Sequence, residues 1–219
     1  MIGAILKRDL TLALRSGGAW LHGLFFFGVF IALCAIALGG SLNQIRPLAP
    51  ALIWLAVIFS AMLSYPAIFQ KDYQDGNLAQ LKLSSSSLMR VTIAKSMSFA
   101  LLSIVPLLIA TPFAALVFDM PFEVLTATLI SLILAAPALT IYGVLSSAIL
   151  AGRRGGGFLI VLITTPFLIP LLIFGLGAVE AYMAKGLAAL EFRALIGLSL
   201  IAIAVGIPGA TAALNANLE

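Results

Sequence analysis

Long apolar blocks alternate with short polar links along most of this chain, and that alternation predicts a helical membrane protein with six crossings. The blocks fall at about 19–38, 48–69, 96–118, 124–150, 158–178 and 192–213. Each is close to the roughly 20 residues that an α-helix needs to span a hydrocarbon core of about 30 Å. Gly39, Gly40 and Ser41 suit a turn after the first block, and Pro47 precedes the second. Tyr65 and Pro66 are placed to anchor and bend the second block at the membrane surface. Pro106 and Pro112 fall inside the third, where a kink is expected rather than a break, because freed carbonyls must find partners within the membrane. Asp119 to Glu123 make a hairpin link, Pro137 sits in the fourth block, and Pro166 and Pro170 in the fifth.

Three stretches depart from the pattern. Residues 1–18 place Ile2, Ile5, Leu6, Leu10, Ala13 and Leu14 on one helical face and Lys7, Arg8, Thr11 and Arg15 on another. This predicts an amphipathic interfacial helix with its basic side toward anionic headgroups. The alternative, a signal peptide, is disfavoured by the length of the apolar run after it and by five further spans. Residues 179–191 repeat Val179, Tyr182, Met183, Gly186, Leu187 and Leu190 at steps of three and four, with Glu180, Lys185 and Glu191 off the stripe. That spacing predicts a short amphipathic helix resting on the far membrane face.

The longest hydrophilic interruption, 69–95, is the third. Asp72 and Asp75 share a helical face there, and Lys71 can reach Asp75 one turn on. Gly76 is placed to release the helix, Asn77 to cap the next segment, and Leu78 and Leu81 form an apolar pair at i, i+3, with Ser84 to Ser87 beyond. Two readings stand side by side. One is a short surface helix, acidic at its approach and apolar at its tip, that a soluble partner grips; the other is a solvated loop whose leucines lie on lipid.

Composition narrows the function. The chain of 219 residues is 63% hydrophobic and 9% charged, against roughly 25% charged in a soluble domain, so one membrane domain uses nearly all of it. Twelve Lys and Arg scattered between spans do not make the basic face that nucleic acid requires. With the amino terminus inside, nine of them (Lys7, Arg8, Arg15, Lys71, Lys82, Arg90, Lys95, Arg153, Arg154) are cytoplasmic and three (Arg46, Lys185, Arg193) are outside, which predicts both termini in the cytoplasm. A lone cysteine, Cys34, excludes an internal disulfide and reads as a small packed hydrophobe.

Chemistry-bearing candidates are few. His22, near the start of the first span, reads as a packed or interfacial side chain rather than a ligand. Gly155 to Gly157 lack the Lys-Ser/Thr ending of a phosphate loop and read as a flexible basic turn with Gly152, Arg153 and Arg154. Asp72 with Asp75 is a thin oxygen set for magnesium, and Met62, Met97, Met120 and Met183 read as packing rather than haem ligands. The spans hold almost no ionisable groups, which argues against proton-driven transport and against intramembrane catalysis.

Phe69, Asp72, Asp75, Gly76, Leu78, Gln80 and Leu81, set after the second of six spans in a chain of this length, resemble the haem exporter protein B family, the permease component of the cytochrome c maturation system. The likeness covers essentially the whole chain, with Asp-x-x-Asp-Gly-x-Leu its most specific part. It implies an ABC-2, type II exporter-like permease half in a bacterial inner membrane, non-enzymatic, binding no cofactor itself. It implies as partners two copies of the ABC ATPase of the same system (its A component), which carries the ATP and magnesium, and a second copy of this chain. The haem-handling C component, the small membrane D component, a haem chaperone and membrane lipid complete the implied set. Phe69, Asp72, Asp75, Gly76, Leu78 and Leu81 would be the ATPase-coupling segment, and Lys7, Arg8 and Arg15 would lie on the interfacial helix. The function implied is either ATP-driven release of haem-loaded chaperone, favoured by the lack of a histidine pair, or translocation of haem or another small molecule.

Overall fold

The computed structural model describes residues 2–16, 19–39, 42–83, 87–153 and 156–218, all of them helical or in short links. In chain order the helices are α1 (Ile2–Ser16), α2 (Ala19–Ala37), α3 (Leu42–Ser64), α4 (Gln70–Gln74), α5 (Asn77–Leu83), α6 (Leu88–Phe99), α7 (Val105–Val117), α8 (Phe122–Ile149), α9 (Gly156–Lys185) and α10 (Leu190–Asn217). A 3₁₀ turn, Tyr65–Ile68, follows α3, and a π-helical segment, Ala100–Ile104, joins α6 to α7. Among the described residues five stretches are long and apolar enough to cross a membrane: Arg46–Gln74, Leu88–Val117, Phe122–Ile149, Gly157–Lys185 and Leu190–Asn217. Leu21–Ala37 is a shorter apolar helix. The chain is therefore an all-α, multi-pass membrane protein.

Such helices stay intact because their polar atoms are satisfied internally, as a bilayer demands. Thr92, Thr111, Thr128 and Thr140 each donate to the carbonyl four residues back, at 2.8 to 3.0 Å. The core is built around α3, whose Trp54 is fully buried and donates through Nε1 to Ser131 Oγ of α8 at 3.1 Å. α8 packs most extensively on α10 and then on α9, α2 lies against α3, and α1 lies along α6.

Three expectations change. Tyr65 does not anchor at the surface: it is fully buried, donates to the Leu139 carbonyl at 2.9 Å and packs tilted against Phe99 at 5.5 Å between centroids. Its ring fits only because position 143 is glycine; a Cβ there would lie 2.1 Å from Tyr65 Cε1. Pro47 lies inside α3 rather than before it, because the helix starts at Leu42. The third apolar block begins earlier than its hydropathy indicates, at Leu88, so Arg90 and Lys95 are helical. It is continuous past Pro106, with the π segment directly before it absorbing the missing N–H.

The separate far-face helix at 179–191 is also corrected. Residues 179–185 continue α9, since nothing from Val179 to Lys185 breaks a helix, and α9 ends only where Gly186 adopts φ +57°, followed by a 3₁₀ turn, Gly186–Ala188. The stripe divides: Val179 is buried, Tyr182 packs edge-on to Phe192, and Met183, Leu187 and Leu190 are exposed. Asp119 to Pro121 form the expected tight link before α8, pinned by Arg46, whose Nε donates to the Asp119 carbonyl at 3.1 Å and whose guanidinium pairs with the Asp119 carboxylate.

Candidate functional site

The polar end of the bundle is assembled from α1, the link after α3, the start of α6 and the carboxy-terminal ends of α8 and α10. α1 packs Ile5 inward and so carries Arg8 and Asp9 to the junction of α4 and α6. Arg8 Nη2 lies 2.9 Å and 3.1 Å from the two Asp72 carboxylate oxygens and 3.1 Å from Asp9 Oδ1. Lys95 Nζ lies 2.9 Å from Asp9 Oδ2 and contacts the Asp72 carboxylate directly. Asn77 Nδ2 adds a donor to Asp72 Oδ1 at 3.3 Å.

Two cations thus face two carboxylates, and three separate parts of the chain meet there. Asp72 is 8% exposed and Lys95 7%, so each charge depends on the others for its solvation. Partial burial works against the charge on Arg8, but Asp72 and Asp9 outweigh it and hold the guanidinium above its ordinary range. The basic side of α1 is accordingly committed in part to the protein and not wholly to headgroups. Lys7 is exposed, and the side chain of Arg15 lies outside the described residues.

In the 69–95 stretch, Gly76 releases the helix as its sequence indicates, with φ +72° between α4 and α5. The rest is arranged differently from the expected apolar tip. Phe69 and Leu78 are 0% exposed and Leu81 packs against the core, so the apolar pair faces the protein interior. Asn77 bonds Asp72 instead of capping α5. Asp75 is exposed, and among the described residues no ion pair joins it to Lys71. The outward surface is Lys71, Gln74, Asp75, Ala79 and Gln80. Ser84 to Ser86 lie outside the described residues, as do Arg154 and Gly155, while Gly156 and Gly157 open α9.

This segment is braced from behind. Tyr73 Oη donates to the Asn217 carbonyl at 3.3 Å, Lys82 Nζ to the Asn215 carbonyl at 3.4 Å, and Asn217 Nδ2 to the Ala148 carbonyl at 2.9 Å. α4 and α5 are therefore tied to the end of α10, and through Asn217 to that of α8, as well as to α1 and α6. The residues missed from sequence are Asp9, Lys95 as a buried partner, and Asn217. An acidic residue beside Arg8 in an otherwise basic segment was the one visible sign.

A cavity of about 250 Å³ opens beside the ion cluster, lined by both charged and apolar side chains of α1, the 3₁₀ turn and α6. Among the described residues no group of three or more His, Cys, Asp or Glu could hold a metal ion. His22 is exposed on α2, and Cys34 is half-buried.

Comparison with known proteins agrees with the sequence resemblance. The chain is 31% identical over 219 residues to heme exporter protein B of Bradyrhizobium diazoefficiens, covering 100% of this chain and 99% of that one. It is 34% identical over 218 residues to heme exporter protein B of Paracoccus denitrificans, covering 99% of each. With heme exporter protein B of Escherichia coli K12 it shares 32% over 213 residues, 97% of this chain and 96% of the other. The model of the CcmB protein family matches residues 1–217, and the chain belongs to that family.

Proposed function

We propose that this chain is the membrane permease subunit of an ABC-type complex for cytochrome c maturation, driven by a separate ATPase. The observation that carries the proposal is the family match over residues 1–217, end to end with relatives named heme exporter protein B. The chain crosses a bacterial inner membrane six times, with Leu21–Ala37 as the core of the first crossing and both termini in the cytoplasm. The excess of Lys and Arg at the α1, α4 to α6 and 153 end supports that orientation. α1 lies at the cytoplasmic interface, its exposed Lys7 toward anionic headgroups.

The 69–95 segment is the cytoplasmic contact for the ATPase. Its inner residues, Phe69, Asp72, Leu78 and Leu81, form the rigid mount, and Gln74, Asp75, Ala79 and Gln80 form the face that a partner touches. The ties of this mount to α6, α8 and α10 support a mechanical reading: displacement at Asp75 is delivered to three crossings at once. The π segment next to Pro106 is the place where the α6–α7 crossing bends. Partners are two ATPase subunits, a second copy of this chain, and the haem-handling, small and chaperone components of the same system. The chain itself makes and breaks no bonds; ATP and magnesium stay on the ATPase.

The product of the cycle is release of haem-loaded chaperone from the membrane complex. The cavity beside the ion cluster supports this over passage of haem, because none of its lining side chains is His, Met, Cys or Tyr, the residues that commonly hold haem iron. The complex reconstituted in sealed vesicles with ATP is expected to release chaperone without haem accumulating inside. ATP-dependent accumulation of haem would overturn the release reading in favour of transport.

A further inference from the structure

We propose that the cavity between α1, the Tyr65–Ile68 turn and the α6–π segment is a binding site for one anionic membrane phospholipid, taking its phosphate and the upper part of one chain. This rests on the placement of α1 at the membrane surface given above, and it adds a ligand that the coupling function does not require.

The lining runs from charged to apolar along one face of a single helix. Lys95, Ser98, Phe99, Leu102 and Ser103 succeed one another on the α6–π segment, so the wall passes from an ammonium to a leucine over about 10 Å of helix rise. Leu12 of α1 faces the same space. Such a gradient matches a molecule with an anionic head and a hydrocarbon tail. A volume of about 250 Å³ is below the roughly 300 to 1,000 Å³ of sites that enclose a whole small ligand, and it suits one end of a longer molecule whose remainder stays in the bilayer.

Charge points the same way. Arg8, Lys71 and Lys95 line the cavity with Asp9 and Asp72. The ion cluster uses two cations against two carboxylates, and Lys71, exposed at the mouth, makes no ion pair among the described residues. The surplus charge is positive. Basic pockets between membrane helices are a recurrent site for anionic headgroups.

The test is lipid binding by the purified full-length chain in detergent, followed by native mass spectrometry and thermal shift. Dihexanoyl phosphatidylglycerol is expected to bind at least tenfold more tightly than dihexanoyl phosphatidylcholine or inorganic phosphate. Lys71→Gln is expected to weaken phosphatidylglycerol about fivefold without lowering the lipid-free melting temperature, and Leu102→Trp to abolish its retention. Equal binding of the two lipids, or binding indifferent to both substitutions, would overturn the proposal. Inorganic phosphate as tight as phosphatidylglycerol would reassign the cavity to a free oxyanion and overturn it equally. None of these readouts involves the ATPase, so failure here and failure of the coupling function are separable.

Discussion

Lys95 Nζ sits 2.9 Å from the Asp9 carboxylate, which fastens the first helix of the chain to the entry of a membrane-crossing helix. The same ammonium contacts Asp72, so it holds two carboxylates that otherwise repel each other. Removing one member of a buried ionic group leaves its partner charged and unsolvated, at a cost of about 3–5 kcal/mol. Lys95→Met is therefore expected to lower stability by that amount in chemical denaturation in detergent. The double change Asp72→Asn, Lys95→Met, which removes one charge of each sign and leaves Arg8 paired with Asp9, is expected to recover part of the loss. A double variant as unstable as the sum of the single ones would show that the charges act independently.

Leu78 and Asp75 separate mount from contact face within three residues. Leu78→Asp places a carboxylate at a fully buried position and is expected to reduce the yield of folded protein in the membrane sharply, since unpaired buried charge is among the most damaging changes. Asp75→Arg combined with Gln80→Asp alters only exposed side chains and is expected to leave yield and melting temperature unchanged while at least tenfold less ATPase copurifies. Normal copurification of the ATPase with this double variant would remove the contact face from 74–80.

How much of this was legible in the sequence follows from what each signal encodes. Helix existence is written in the length of the apolar blocks, and the glycine at 76 states its own backbone requirement. The i, i+3 pair of Leu78 and Leu81 announces an apolar side but says nothing of what it meets, and the interior, not a partner, met it. The ion cluster was hidden because Arg8 and Asp72 are 64 residues apart, a distance over which no periodicity operates. Val179 to Leu190 show the same ambiguity: a stripe at helical spacing fits a surface helix and the end of a long crossing helix equally well, and only the position of Gly186 decides where the helix stops.

Gly143 and Tyr65 provide a packing test away from the polar end. A methyl group at 143 would meet the Tyr65 ring at 2.1 Å, so Gly143→Ala is expected to cost about 1–3 kcal/mol as overpacking. Pairing it with Tyr65→Leu, which vacates the space, is expected to restore part of that stability. Tyr65→Phe alone keeps the ring and loses only the bond to the Leu139 carbonyl, for about 0.5–1.5 kcal/mol. Thermal unfolding of these variants distinguishes ring volume from hydrogen bonding at this crossing.

Orientation is open to a direct chemical test because the exposed positions at the two ends of the bundle are known. In a Cys34→Ser background, which removes the sole native thiol, Gln74→Cys and Leu187→Cys each replace an exposed side chain. α9 connects the Arg153 end to Leu187 through 30 residues of helix, about 45 Å at 1.5 Å per residue, longer than the hydrocarbon core. A membrane-impermeant maleimide added to whole spheroplasts is expected to label position 187 and spare 74, and inside-out vesicles to reverse the pattern. Position 74 labelled from the outer face would put the segment beyond reach of any cytoplasmic ATPase, and the coupling assignment would fail whatever the binding measurements gave.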